Sequence, residues 1–153
     1  DAVNWVHDLA YLGLEDPLPS QKQLCPRGTS CAVYFQHYHM PWPVGHREFV
    51  LFRSISVDKK GKKVSGVYHS VEDERFPEKE GVVRAQSDHT LWQFQALGEG
   101  KTEIVLEAVA DPKGNIPSKA VNFLSKTWPK HTIENLVKRA GALDEASSQF
   151  VRW

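Results

Sequence analysis

His37 and His39, in the run AVYFQHYHM, can chelate a metal if that run is a strand, because residues i and i+2 of a strand share a face. A site needs at least a third ligand, and His69 or a carboxylate would have to arrive with no motif spacing to announce it. No metal is therefore expected, and the plainer reading is two partly exposed histidines on an outer face. Arg53 interrupts an otherwise apolar strand face in EFVLFRSISV. A guanidinium on a dry face is costly unless it finds a carboxylate, carbonyls, ordered water or a ligand oxygen. Cys25 and Cys31 bracket the turn-like Pro-Arg-Gly-Thr-Ser, either as a disulfide across a hairpin mouth or as two unpaired residues closing a loop. Gly-x-Ser-x-Gly, His-Glu-x-x-His and phosphate-loop motifs are all absent, so no catalytic residue is assigned and no cofactor is implied.

The stretch MPWPVGHREF places two prolines around Trp42 and then three ionisable residues, His46, Arg47 and Glu48. Pro41 and Pro43 favour an extended corner between two strands, with the three charged positions expected to face water.

These residues must be held by a scaffold, and the totals bound it. A chain of 153 residues, 41% hydrophobic, fits one domain with its own core. Nineteen basic and nineteen acidic residues cancel, so the long-range field that draws proteins to nucleic acid is missing, and no nucleic-acid partner is expected. No apolar run approaches the roughly 20 residues of a membrane helix. The first residue is Asp1 rather than Met, so a processed N-terminal segment is one expectation. The compartment stays open between cytoplasmic and periplasmic or secreted.

Residues 2–12 carry apolar positions at helical spacing, which predicts a short N-terminal helix ended by Gly13, Pro17 and Pro19. From about 32 to 110, short alternating runs separated by turn signals predict an antiparallel meander of about six strands. Beyond Asp111-Pro112-Lys113-Gly114-Asn115, the spacing returns to a helical period. Ala120, Val121, Leu124, Trp128, Leu136 and Val137 form one stripe, and Pro129 predicts a kink or break.

Four pieces in order resemble one family: MPWPVGHREFVLFR, EGVVRA, the Trp92 strand running into ALGEGKTEI, and ADPKGNIPSKAVNFLSKTWP. Over about residues 32–140 the chain is similar to the START (steroidogenic-acute-regulatory-related lipid transfer) domains of the helix-grip, Bet v 1-like group. The resemblance implies an α+β helix-grip fold, with a curved antiparallel sheet wrapped on a long C-terminal helix as a single domain over 1–153. It also implies a family N-terminal helix and strands with no counterpart here, so a second chain or the tail Ser147–Trp153 would cover the open sheet edge. Lys113 stands where many relatives have Gly, which leaves Gly114 to provide the positive-φ residue of that junction.

By the same resemblance, the sheet encloses an apolar tunnel for a lipid, with Arg53 placed where relatives carry an Arg that meets the ligand; an internal ion pair or a snorkelling strand end is the other reading. If the hairpin is centred between Pro43 and Val44, Tyr34 opposes Arg53, Gln36 opposes Leu51 and Tyr38 opposes Phe49, all on the inner face with Ile55. A one-residue bulge would instead turn Phe35, His37 and His39 inward. Trp92, Phe94, Ile104, Leu106, Val121, Leu124 and Trp128 complete the expected ligand-binding wall. The expected function is non-enzymatic binding and transfer or sensing of a sterol, phospholipid or other apolar small molecule, with transient membrane contact. The alternative is a cyclase or hydrolase of the same fold acting on a polyketide-like or aromatic substrate, using His37, His39, Glu103 or Glu107.

Overall fold

Alternating apolar runs do form the sheet, but one strand more than the sequence pattern predicts. The computed structural model describes residues 9–39 and 44–142, and side chains for all of these except 9–14, 119, 120, 123, 124, 139 and 142. Its strands are β1 (Leu9–Glu15), β2 (Ser30–Tyr38), β3 (His46–Asp58), β4 (Lys63–Ser70), β5 (Val82–Arg84), β6 (Gln86–Gly98) and β7 (Lys101–Asp111), followed by the helix α1 (Ser118–Ala142). They make one curved sheet in the order β1-β2-β3-β4-β6-β7, with the short β5 running parallel to the start of β3.

Two expectations are corrected here. Leu9 to Leu12 belong to β1 rather than to a helix, and β1 pairs antiparallel with β2 and covers its edge. Residues 1–8, and the tail Ser147–Trp153 expected to cover an edge, lie outside the described residues. Secondly, of the kink or break expected at Pro129, the break does not occur: α1 runs unbroken through it. That proline has no N–H to donate to the preceding turn, and hydroxyls supply extra bonds on either side of it. Ser125 Oγ donates to the Val121 carbonyl at 2.9 Å and Thr132 Oγ1 to the Trp128 carbonyl at 2.7 Å. Of the expected apolar stripe, Val137 is 54% exposed.

The β2–β3 register differs from expectation by two residues. Tyr34 opposes Leu51, Gln36 opposes Phe49 and Tyr38 opposes Arg47, in an uninterrupted ladder. A two-residue slip preserves facing because side chains alternate with period two. Tyr34, Gln36 and Tyr38 therefore still share a face with Phe49 and Leu51, and His37 points the other way.

That other face holds the core. Val33 opposes Phe52 and Phe35 opposes Val50, and all four are buried. Val71, Phe76 and the disulfide-linked Cys25 and Cys31 pack on them, with the Phe35 and Phe76 rings stacked 5.2 Å apart. Polar groups tie down this covering layer. Asp73 accepts from the Arg75 backbone N–H at 3.0 Å and from its guanidinium at 2.8 and 2.7 Å, and Gln21 donates to it at 3.0 Å. Gln21 also donates to the Glu72 carbonyl and accepts from the Leu18 N–H, so segment 18–21 and segment 72–75 are locked together.

The Arg75 hydrogen bonds hold the buried Asp73 carboxyl down at about 2, from an ordinary 3.8. A carboxyl with a depressed folded-state pKa contributes stability above its unfolded pKa and loses it as pH falls through the folded value. This contribution, on the order of 2 kcal/mol, should disappear between about pH 4 and pH 2. Asp73→Asn should be less stable at neutral pH by a similar amount, and its urea midpoint should fall less steeply on acidification than that of the parent chain.

Candidate functional site

Arg47 and Glu48, expected to face water, are buried: Arg47 is 3% exposed and Glu48 0%, whereas His46 beside them is exposed. Burying a guanidinium is tolerable only with acceptors around it. Arg47 has four carbonyls. Nε donates to Pro112 at 3.2 Å, Nη2 to Lys113 at 2.9 Å, and Nη1 to Gly45 at 2.7 Å and to Val44. Burial lowers its pKa from the ordinary arginine value, which still leaves the group charged. Glu48 is held differently. Its Oε1 accepts from Arg84 Nε at 3.0 Å and Nη2 at 2.7 Å, and Arg84 Nη2 also donates to the Phe76 carbonyl. The first turn of β3 thus clamps the β7–α1 junction with one residue and the outer layer with the next.

Over the face opposite the core, the sheet and α1 enclose a cavity of about 500 Å³. Tyr34, Gln36 and Tyr38 of β2 line it together with Arg47, Phe49 and Leu51 of β3. Farther across, Tyr68 and Trp92 continue the wall, and Ala108 and Ala110 form its exposed side along β7. Val121, Ser125, Trp128, Pro129 and Thr132 recur at helical spacing and form the α1 wall.

Eight of the expected wall residues are therefore brought together: Tyr34, Gln36, Tyr38, Phe49, Leu51, Trp92, Val121 and Trp128. Ile55, Phe94, Ile104 and Leu106 share the cavity face by register but do not line the cavity. Ile55 pairs with Gly66, which pairs with Trp92, which pairs with Leu106; Phe94 pairs with Ile104 one step farther out. The Leu124 side chain lies outside the described residues. Arg47, Tyr68, Thr90 and Ile116 are lining residues that sequence reasoning did not select. For Tyr68 a signal existed, since it alternates with Gly66 and Ser70 along one face of β4.

Arg53 is set just behind this wall. Its guanidinium lies 4.7 Å from the Tyr34 ring centre and Nη1 donates to the Tyr34 hydroxyl. Tyr68 is directly opposite Arg53 on β4. Burial is the main cause of a raised Tyr68 pKa, with the neighbouring Tyr34 adding to it and Arg53 opposing. Arg53 Nε is buried with no hydrogen-bond partner. At the other end, Tyr38 donates to Gln36 Oε1 at 3.2 Å and burial raises its pKa to about 12, so it is a neutral donor at any physiological pH.

Among the described residues, the lining contains no His, Asp, Glu, Lys or Cys. His37 and His39 lie on the opposite face, and Glu103 and Glu107 project away from the face of Ile104 and Leu106. The groups considered for acid–base chemistry are thus not gathered in the cavity.

A sequence model of the START domain matches residues 3–145. The phosphatidylcholine transfer protein of Bos taurus is 29% identical over 133 residues, covering 86% of this chain and 62% of that protein. An uncharacterised protein of Pseudomonas aeruginosa is 26% identical over 135 residues, covering 88% and 61%. The chain therefore spans less than two thirds of the length of these relatives. Among solved structures, human STARD10 superposes with a TM-score of 0.61 at 22% identity, covering 78% of this chain and 54% of that one. Human StAR-related lipid transfer protein 5 also gives 0.61, at 19% identity, covering 85% and 57%. At these identities the two structures speak to the fold alone. No helix among the described residues is long and apolar enough to cross a membrane.

At the junction that Arg47 clamps, Lys113 adopts φ 51° and Gly114 φ 66°, so the positive-φ role expected of Gly114 alone is shared. A Cβ on Gly114 would sit 3.0 Å from Arg47 Nη2 and 3.4 Å from a Val83 methyl. Gly114→Ala should therefore cost about 1–3 kcal/mol, read from urea denaturation. Gly81→Ala, also at positive φ but with open space around its Cβ, should cost less.

Proposed function

Since the chain belongs to the START domain family, we propose that it binds a lipid in the cavity between sheet and helix and carries or senses it without chemical turnover. The observation that carries this reading is the composition of the wall. An apolar enclosure with a few convergent polar groups suits ligand binding, and the described lining has no His, Asp, Glu, Lys or Cys to activate its Ser, Thr and Tyr hydroxyls as a catalyst would need. Burying roughly 400 Å² of lipid surface would supply on the order of 10 kcal/mol, of which association and ordering remove a large part.

The polar end of the ligand, on this reading, meets the Arg53–Tyr34–Tyr68 cluster, where the buried Arg53 Nε still needs an acceptor. A phosphate, ester or hydroxyl oxygen fits that requirement. No carboxylate is among the described contacts of Arg53, which favours a ligand that brings its own acceptor. The bovine relative is named for phosphatidylcholine transfer, so phosphatidylcholine is the first ligand to try, ahead of sterols and fatty acids. Brief contact with a membrane would accompany loading and release.

Gently purified protein should release a co-purifying lipid in mass spectrometry. Phosphatidylcholine, cholesterol and oleate should be compared for displacement of a fluorescent lipid. Arg53→Met should weaken binding of the preferred lipid about tenfold while circular dichroism stays unchanged. Failure of all three lipid classes to bind would sink the carrier reading. Turnover of an aromatic or polyketide-like substrate, lost in His37→Ala or Glu107→Ala, would replace it with an enzyme.

A further inference from the structure

The β2–β3 register has a second consequence on the face away from the cavity. Three imidazoles meet there: His37 on β2, His39 immediately after it, and His46 as the first residue of β3. One nitrogen from each lies within 4.8 Å of the others. Ring centres are 4.6 Å apart for His37 and His39, 5.1 Å for His39 and His46, and 5.7 Å for His37 and His46. The third ligand missing from the His37/His39 pair is thus supplied across the hairpin, by the same corner sequence that contributes Arg47 and Glu48.

We propose that His37, His39 and His46 form a binding site for a divalent transition-metal cation, with Zn²⁺ as the reference ion and an open fourth position for water. Three imidazoles and one open position are a familiar zinc arrangement. Zn–N bonds of about 2.0–2.1 Å require tetrahedral nitrogens roughly 3.3–3.5 Å apart, so small ring rotations would close the observed triangle. His39 and His46 are exposed and His37 half-buried, which leaves the rings that must turn room to do so.

A bound metal takes neutral imidazole, and charged groups stand close to the triad. Glu48 stands directly opposite His37, fully buried, with Oε2 lacking a hydrogen-bond partner. Its Oε1 is paired with Arg84, and Lys79 lies 5.8 Å from the Phe35 ring centre, so the charge behind the triad is balanced and the site rests on its three imidazoles. A cation held here would tie the end of β2 to the start of β3 across residues 40–45. It would staple the hairpin whose other face lines the cavity, independently of any lipid.

The test is calorimetric titration of the tag-free, chelator-treated chain with ZnSO4. One equivalent should bind, His39→Ala and His46→Ala should each weaken binding by at least tenfold, and His131→Ala on α1 should leave it unchanged. Because His39 and His46 are exposed, both variants should keep the parent's circular dichroism; His46→Gln serves as a second variant at that position. Co²⁺ should give a visible d–d absorption band with the parent chain and not with His46→Ala. Absence of stoichiometric binding, or binding that survives His46→Ala unchanged, would overturn the proposal; lipid displacement is unaffected by either result.

Discussion

The guanidinium of Arg47 is the constraint on which the rest of the structure depends. It occupies the start of β3, far in sequence from Pro112 and Lys113, yet its hydrogen bonds tie the β2–β3 hairpin to the turn that launches α1. A buried cation bound only by neutral carbonyls has no compensating charge. It persists because four acceptors replace the water it lost. That arrangement fixes where α1 begins relative to β3, and so where Val121, Ser125 and Trp128 stand above Phe49 and Leu51. It also explains the backbone at Lys113 and Gly114. Both carry positive φ, and the Lys113 N–H turns back to Asp111 Oδ1 at 2.9 Å while its carbonyl is presented to Arg47.

Glu48 extends the same logic to the other face. Its ion pair with Arg84 joins β3 to β5, and Arg84 reaches on to the Phe76 carbonyl, placing Phe76 over Phe35. Adjacent residues on a strand point to opposite faces. Arg47 and Glu48 therefore serve two layers at once, one governing the cavity and the other the small core. A sheet with an open cavity on one face has less packed surface there, so the closer packing lies elsewhere. Here Val33, Phe35, Val50 and Phe52 form the packed core on the reverse side, and the Asp73–Arg75–Gln21 network holds its cover in place.

Much of this was legible in the residue pattern, and the failures have identifiable causes. Strands β2, β3, β4, β6 and β7 follow their alternation because each has an apolar face of the right repeat. Leu9 to Leu12 satisfy helical spacing as well as a strand, and pairing with β2 decides between the two; single-segment propensity does not see that partner. The hairpin was misplaced by two residues because its centre was set one residue too late, and the wall survived only through the parity of strand side chains. Arg47 and Glu48 read as a solvated corner since Arg84, Pro112 and Lys113, which help to hold them, lie 36 to 66 residues away. Val33, Phe35, Val50 and Phe52 did carry a signal. They alternate with the inner-face residues, so both faces of β2 and β3 are apolar, which a sheet with one solvated face does not need.

Two arginines sit near the cavity, and their surroundings assign them different work. Arg47 spends Nε, Nη1 and Nη2 on main-chain acceptors, so recruiting it to a ligand would release the junction it holds together. Arg53 donates instead to the Tyr34 hydroxyl, with Tyr68 opposite it on β4, and a hydroxyl is both donor and acceptor and can turn from the arginine toward an incoming oxygen without leaving a carbonyl stranded. Tyr34 and Tyr68 line the cavity, with Arg53 behind them. A ligand oxygen could thus be received by the hydroxyls first, with the guanidinium favouring it electrostatically from a distance where water is scarce. On the lipid-binding proposal, such a site would select for an acceptor at one end of an apolar molecule and leave the length and branching of the remainder to the fit between Trp92 and the α1 wall.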